Sequence, residues 1–195
     1  TIVGPDFVRL TNLDIKNTAN WSGIYAAMSG NLEIINNKIH DGNFLPTGFG
    51  HGIYIESDNN LIDGNELYNL PAYGVHIYSS NGSHPSYNTI RNNIVHDFGQ
   101  KRITAAGILV SSHGAGNTIY NNQVYNGKGL HNDGGIGIVI DITSNSSVYG
   151  NTVYNNTWYG ISAQDTTNAS VTGNTLYQNG TNLITSGSVG GTFSN

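Results

Sequence analysis

Histidine and tyrosine are the residues of this chain best suited to move protons, because only 10% of its 195 residues are charged and none is cysteine. Both types occur together in two similar segments, 51–56 (HGIYIE) and 73–78 (YGVHIY). The ordinary pKa of histidine lies close to neutral pH, so we expect His76 to act as a base or an acid. Tyr54 would share that role if nearby cations lowered its pKa. The two segments therefore predict a site for proton transfer.

Cations are scarce in this chain, which has seven Lys and Arg in total. Two of them, Lys101 and Arg102, are adjacent in a loop at 98–105, and above His76 they would neutralise an anionic group. We therefore predict four catalytic residues: His76, Tyr54, Arg102 and Lys101. Other residues of the two segments, and of a loop at 127–135, are predicted to contact the substrate: His51, Glu56, Tyr73, Tyr78, His131 and Asp133.

A repeat along the chain decides where these residues lie. Its first phrase is an aliphatic residue, two others, asparagine, one other, an aliphatic residue, then tyrosine or histidine. The asparagines of successive copies are 28, 28, 29, 29 and 23 residues apart: Asn37, Asn65, Asn93, Asn122, Asn151 and Asn174. A second phrase, glycine before an aliphatic residue, falls between them: Gly23, Gly52, Gly74, Gly107, Gly137 and Gly160. Both phrases alternate with period two, as strands with one buried face do.

Strands that recur at this interval predict a solenoid, in which each coil stacks its strands in parallel on those of the next. We predict an all-β fold over residues 1–195. It is a single-stranded right-handed parallel β-helix of about seven coils, with about 4.8 Å between coils. Columns of inward isoleucine and valine would form its core. The recurring asparagine would turn a corner in each coil, and its side-chain amide would bond to the asparagine of the next coil.

The two phrases cover nearly the whole chain and resemble the repeats of the pectin-lyase-like superfamily of right-handed parallel β-helices. The resemblance implies a polysaccharide partner bound in a groove, and a secreted, extracellular or periplasmic location. It also supports His, Tyr, Lys and Arg as catalytic residue types. Residues 73–76 (YGVH) match only the opening Tyr-Gly of the Tyr-Gly-Phe-Asp-Pro-His signature of the superfamily's epimerases. No capping helix is readable before Phe7, so we expect further domains of a larger protein, or a stacked chain, to cover the ends.

Recurrence separates structural residues from candidate site residues. His40 and His96 share their place in the repeat with four tyrosines, which predicts a stacked aromatic column: Tyr68, Tyr125, Tyr154 and Tyr177. The outward position of the second phrase instead changes from coil to coil: Tyr25, Tyr54, His76, Leu109, Val139 and Ser162. Long loops at 41–50, 98–105 and 127–135 are expected to wall this face, with His76 on the floor of the trough.

The sequence is compatible with three functions. The first is a lyase or C-5 epimerase that abstracts the proton alpha to the carboxylate of a uronic-acid polysaccharide. The second is a non-catalytic carbohydrate-binding or structural β-helix, because tyrosines with few charges around them suit stacking on sugar rings. The third is a glycoside hydrolase, which needs two carboxyl groups about 5–9.5 Å apart. It ranks last, because Glu56 and Asp141 are predicted to lie three coils, or about 14 Å, apart.

Composition argues against other classes of protein. A net charge of -5 with few cations argues against a nucleic-acid partner. A membrane span is not expected, because no run of about 18 apolar residues occurs. The absence of cysteine excludes a disulfide scaffold and thiolate metal sites. No calcium-binding aspartate cluster is recognisable, although Asp133 and Asp141 are candidates for binding calcium.

Overall fold

The computed structural model describes residues 1–4, 7–16, 21–28, 30–42, 50–80, 82–101, 105–129 and 134–195. Within these residues the chain forms short β-strands joined by turns, and no helix. Nothing in this part of the chain is therefore a helix long and apolar enough to cross a membrane. The strands assemble into three parallel sheets, which we name sheet A, sheet B and sheet C.

Sheet A contains the strands of the glycine phrase. In the described residues its order is β1 (Ile2–Val3), β4 (Ser22–Ala27), β7 (His51–Glu56), β10 (Val75–Ile77), β13 (Ala105–Val110), β16 (Gly135–Asp141), β19 (Tyr159–Gln164) and β22 (Thr181–Ser186).

Sheets B and C contain the two halves of the asparagine phrase. Sheet B consists of β2 (Arg9–Thr11), β5 (Glu33–Ile35), β8 (Leu61–Asp63), β11 (Thr89–Arg91), β14 (Thr118–Tyr120), β17 (Ser147–Tyr149), β20 (Ser170–Thr172) and β23 (Thr192–Ser194). Sheet C consists of β3 (Asp14–Lys16), β6 (Lys38–His40), β9 (Glu66–Leu70), β12 (Ile94–Phe98), β15 (Gln123–Tyr125), β18 (Thr152–Tyr154) and β21 (Thr175–Tyr177).

Each coil passes through sheets A, B and C in that order, so a strand pairs with strands three places away in the chain. All of these pairings are parallel, and they align equivalent residues of the repeat. Ile53, for example, pairs with Ile24 on one side and with Val75 on the other. The predicted right-handed parallel β-helix is therefore confirmed.

The core consists of the predicted aliphatic columns. The sheet B column is fully buried from coil to coil: Ile34, Ile62, Ile90, Ile119, Val148 and Val171. The sheet C column is buried in the same way: Ile39, Leu67, Val95, Val124 and Val153. Burying one such side chain contributes about 1.5–3 kcal/mol, so the columns supply the main driving force for stacking.

In sheet A, two successive residues of each copy face the core, which strict alternation does not predict. A Cβ atom at Gly52 would lie 2.7 Å from Cδ2 of Leu67, so a larger residue does not fit there. The next residue, Ile53, is also fully buried. Because both face inward, the flanking residues His51 and Tyr54 both face outward, with their ring centroids 5.1 Å apart. The repeated glycine thus gives sheet A a third outward row of side chains.

The asparagines of the first phrase are buried where sheet B turns into sheet C. Nδ2 of Asn93 donates to Oδ1 of Asn122 at 2.9 Å and to the carbonyl oxygens of Ile62 and Arg91 at 3.0 and 2.8 Å. Oδ1 of Asn93 accepts hydrogen bonds from the backbone N–H and from Nδ2 of Asn65, both at 2.9 Å. One side chain thereby satisfies buried polar groups in three successive coils.

The predicted aromatic column on sheet C is confirmed. Its six rings stack face to face with centroids 4.8–5.1 Å apart and planes within 3–6° of parallel: His40, Tyr68, His96, Tyr125, Tyr154 and Tyr177. The two histidines also bond to neighbouring carboxylates, His40 to Asp14 and His96 to Asp97. Both histidines are thus parts of the stacked column.

Replacing Asn93 with Ala should destabilise the fold, because it leaves the buried N–H groups of Asn65 without their acceptor. An unsatisfied buried donor costs about 1–3 kcal/mol. We expect the free energy of unfolding of Asn93→Ala, measured by urea denaturation, to fall by at least about 2 kcal/mol. The control is Thr118→Ala, on the outward side of β14, which should change stability by less than about 0.5 kcal/mol. Equal effects in the two variants would contradict a structural role for the asparagine pairs.

Candidate functional site

The outward face of sheet A carries three rows of side chains, and each row runs along the helix axis. The first row contains His51, Tyr73, Ala106, Ile136 and Tyr159. The second contains Tyr25, Tyr54, His76, Leu109, Val139 and Ser162, which pair strand to strand in the predicted register. The third contains Glu56, Tyr78, Ser111, Asp141 and Gln164.

Five rings from β7, β10 and the residues flanking β10 form one group: His51, Tyr54, Tyr73, His76 and Tyr78, the sheet A ring cluster. His76 is its centre. The centroid of its ring lies 5.0 Å from Tyr54, 4.7 Å from Tyr73, 5.1 Å from Tyr78 and 4.8 Å from His51. Tyr54 is buried, His76 is half-buried and Tyr78 is exposed. The cluster therefore presents the imidazole of His76 in a partly desolvated aromatic setting, whereas the imidazole of His51 is buried.

Glu56 is a buried carboxylate at the edge of this cluster, with 4% of its surface exposed. The hydroxyl of Tyr54 donates to its Oε1 at 2.6 Å, and the hydroxyl of Ser80 donates to the same oxygen at 2.7 Å. The hydroxyl of Tyr25 donates to Oε2 at 3.3 Å. Burial acts to raise the pKa of Glu56, but these hydrogen bonds outweigh it and lower the pKa below its ordinary value. Glu56 is thus charged at neutral pH.

Tyr54 does not have the environment that a tyrosine base needs. Burial raises its pKa, and the hydrogen bond to Glu56 and the charge of that carboxylate raise it further. The same causes raise the pKa of Tyr25. The condition on which Tyr54 would share the role of base, a pKa lowered by nearby cations, is therefore not met, and its outward-facing ring is buried. Tyr54 keeps its proton at neutral pH and holds Glu56 beside the ring cluster.

Of the predicted cations, Lys101 is described and Arg102 lies outside the described residues. Lys101 is exposed, and its backbone N–H donates to the carbonyl oxygen of Pro71 at 3.0 Å. Pro71 comes two residues before Tyr73, so Lys101 lies beside the strand-start edge of the face. The predicted contacts His131 and Asp133 also lie outside the described residues.

Asp141 lies in the third row on β16, three strands from Glu56 on β7. At about 4.8 Å per strand the two carboxyl groups are about 14 Å apart, too far for the carboxyl pair of a glycosidase. Burial raises the pKa of Asp141, whose Oδ2 accepts a hydrogen bond from Ser111 at 3.4 Å. Among the described residues no three His, Asp or Glu side chains group closely enough to hold a metal ion.

The family model described as right-handed beta helix region matches residues 22–195. The chain belongs to the right-handed β-helix family. No curated protein matches it.

Solved structures share the fold of this β-helix at low sequence identity. A mutant of the periplasmic alginate epimerase AlgG has a TM-score of 0.71 and 18% identity, and the match covers 100% of this chain and 49% of AlgG. The enzymatically active domain of bacteriophage CBA120 tailspike protein 2 has a TM-score of 0.62 and 13% identity, and the match covers 99% of this chain and 34% of the tailspike domain. The A-module of mannuronan C-5 epimerase AlgE4 from Azotobacter vinelandii has a TM-score of 0.54 and 16% identity, and the match covers 95% of this chain and 57% of the A-module. This β-helix therefore spans from a third to just over half the length of these proteins.

Sequence reasoning missed the serines that hold Glu56 in this β-helix. Ser80 donates to Glu56 from both its hydroxyl and its backbone N–H, and the hydroxyl of Ser83 donates to the carbonyl oxygen of Glu56. Glu56, Ser83 and His84 also line an adjacent cavity of about 390 Å³. The run of serines in the long turn at 79–87 was the available signal, because short hydroxyl side chains at a strand end can reach a carboxylate on the neighbouring coil.

Sequence reasoning also missed that the outward face becomes apolar beyond the ring cluster. Ala106, Ile136 and Val139 are buried although they face outward, and they form a small second core. Tyr73 packs against one side of it and Tyr159 against the other. The sequence contains the evidence for this apolar surface, since Ala106 and Ile136 each precede the glycine of the repeat. Aromatic and aliphatic side chains thus continue along the β-helix from the ring cluster to β19.

Replacing Glu56 with Gln should lower the free energy of unfolding at neutral pH by about 1.5–3 kcal/mol, because the charged acceptor of three hydroxyl groups is lost. A carboxyl group with a lowered pKa in the folded state stabilises the fold above its unfolded pKa, and this stabilisation is lost as the pH falls. The difference between wild type and Glu56→Gln should therefore shrink below about pH 4.5, the ordinary pKa of the group. Urea denaturation of both proteins across the pH range measures this difference in the free energy of unfolding.

The matched control is Glu33→Gln on sheet B, whose half-exposed carboxylate pairs with the exposed Arg9. An exposed ion pair of this kind contributes little, so the control should stay close to wild type at every pH. A Glu56→Gln variant as stable as wild type at neutral pH would show that the hydrogen bonds to Glu56 do not support the site.

Proposed function

We propose that this β-helix binds an anionic, uronic-acid polysaccharide on the outward face of sheet A and abstracts the proton alpha to the sugar carboxylate, as a lyase or a C-5 epimerase does. The observation that carries the proposal is the position of His76, a half-buried imidazole whose ring contacts four other rings of the sheet A ring cluster. An imidazole can take a proton near neutral pH, and aromatic surfaces around it suit sugar rings.

In this proposal His76 is the base. It takes the proton from C5, and the electron pair left on carbon is delocalised into the carboxylate, which Lys101 and Arg102 would neutralise. Return of a proton from water to the opposite face of C5 gives the epimer. Departure of the glycosidic oxygen from C4, with a proton taken from the imidazolium of His76, gives the unsaturated product of a lyase. Tyr54 remains protonated and acts as a hydrogen-bond donor.

The remaining predicted residues are assigned to substrate contact: His51, Glu56, Tyr73 and Tyr78 from the strands, and His131 and Asp133 from the loop at 127–135. Asp133 and Asp141 are also proposed as ligands for calcium, and assays with and without calcium test this role. The choice of a uronic-acid substrate is supported by the alginate epimerases among the proteins that share the fold, and a periplasmic or secreted location is proposed on the same ground.

A second candidate function is binding of a polysaccharide without reaction. The contact between Tyr54 and Glu56 favours it, because that hydrogen bond occupies two groups that could otherwise transfer protons. Few charges and several tyrosines on one face also suit sugar binding. The two candidates share the substrate and differ in whether a carbon–hydrogen bond breaks.

Hydrogen exchange at C5 separates the two candidates. The protein is incubated in D₂O with alginate, polygalacturonate or hyaluronan, with and without calcium, and proton NMR follows the C5 hydrogen while ultraviolet absorbance follows unsaturated ends. We expect exchange or elimination on one polymer, and a decrease of at least about 100-fold in His76→Gln, because a general base contributes about 10²–10⁴-fold.

The matched control is His96→Gln, in the aromatic column of sheet C, which should keep wild-type activity. Measurable polymer binding without exchange or elimination in the wild type would exclude the lyase or epimerase and leave the binding function. Full activity in His76→Gln would place the base elsewhere.

A further inference from the structure

We infer that Trp158 and Tyr159 form a second sugar-stacking site for the same polysaccharide, at the start of β19 on the outward face of sheet A. The inference rests on the proposed function, since it assigns a further part of the face to the same polymer. It adds a specific residue pair and predicts that recognition depends on polymer length.

Trp158 is placed as a platform on the surface of the β-helix. Its ring stacks on Tyr159 with centroids 4.5 Å apart and planes at 26°, yet 38% of its surface remains exposed. Its backbone is fixed on both sides. The N–H of Trp158 donates to the carbonyl oxygen of Gly135 at 3.0 Å, and its carbonyl oxygen accepts from Thr181 at 2.7 Å. The backbone that carries the indole is therefore fixed, and part of the ring remains exposed beside Tyr159.

The inner rings of the aromatic column on sheet C differ from Trp158 in how much of their surface is covered by other rings. Tyr125 lies between His96 and Tyr154, with both neighbouring rings within 4.9 Å, so both of its faces are covered by protein. In the described part of the chain, the ring contact of Trp158 is with Tyr159 alone. A stacked pair that leaves one aromatic ring exposed is suited to accept a sugar ring.

The pair is also continuous with the site around His76. Tyr159 packs on the second core of Ala106, Ile136 and Val139, and Tyr73 packs on the other side of that core. Tyr73 in turn contacts His76, with ring centroids 4.7 Å apart. From β10 to β19 the face spans three strand spacings, about 14 Å. A polysaccharide lying along the helix axis would therefore touch the ring cluster and Trp158 at the same time, whereas a disaccharide at His76 would not reach Trp158.

The test compares the binding of alginate and polygalacturonate oligomers of two lengths by calorimetry. In Trp158→Ala we expect the Kd of an octasaccharide to rise about tenfold, because one stacked ring is lost, while the Kd of a disaccharide stays the same. Tyr149→Ala is the control. Tyr149 is a 42% exposed tyrosine stacked on Tyr120 in sheet B, and its removal should leave both Kd values unchanged.

A second measurement keeps the test valid if Trp158→Ala misfolds. The chain has two tryptophans, so in Trp21→Phe the tryptophan fluorescence comes from Trp158 alone. The octasaccharide should shift or quench that emission, and the disaccharide should not. An unchanged octasaccharide Kd in Trp158→Ala, or an unchanged emission in Trp21→Phe, overturns the inference.

Failure of the proposed function gives a different result. If no polymer undergoes exchange at C5 but octasaccharide binding still depends on Trp158, the stacking site is supported and the catalytic role of His76 is excluded. If His76-dependent exchange occurs and octasaccharide binding does not depend on Trp158, the catalytic proposal is supported and the stacking site is excluded. A wild-type protein that binds neither oligomer overturns both.

Discussion

The structure depends on one constraint: each coil must form parallel backbone hydrogen bonds with the coils on either side, in register. Every residue of a strand then has an equivalent one strand spacing away, about 4.8 Å, on the next coil. A side chain of a strand or corner is therefore stable where it packs or bonds well against a copy of itself. Isoleucine on isoleucine, asparagine on asparagine and tyrosine on tyrosine all satisfy this condition. A second set of buried asparagines, Asn60, Asn88 and Asn117, does so between sheets A and B.

The candidate site is formed where this self-similarity is broken. On the outward face of sheet A the second row changes from Tyr54 to His76 to Leu109 on three adjacent strands. Register alone then brings unlike groups into ring contact, and no loop is needed to assemble them. The inward-facing glycine of each copy contributes as well, because it turns the residue before it outward and so brings His51 and Tyr73 into the same cluster. A scaffold held by its repeated columns can in this way carry a site of unrelated side chains.

The fold and the residues of the outward face could be predicted from the sequence, because strand periodicity and the interval of the repeat determine which residues align. The local environment of those residues could not. Tyr54 aligns with His76 as expected, but it also contacts His51 in the first row and donates a hydrogen bond to Glu56 in the third. The charge of Glu56 depends on three hydroxyl donors from three different coils. Such contacts between unlike groups leave no periodic pattern in a sequence.

The fixed charge of Glu56 also indicates how an anionic sugar would lie on the face. Glu56 is in the third row, at the end of β7, whereas Lys101 lies beside the strand-start edge near Tyr73. A uronate placed over His76 with its carboxylate toward Glu56 would meet a buried negative charge, and the aromatic surroundings would strengthen the repulsion. The opposite orientation directs the carboxylate toward Lys101 and places the rest of the ring over tyrosines. Because the charges at the two ends of the strands differ in sign, the face would favour one orientation of a bound uronate across the strands. The rows of aromatic side chains run along the helix axis.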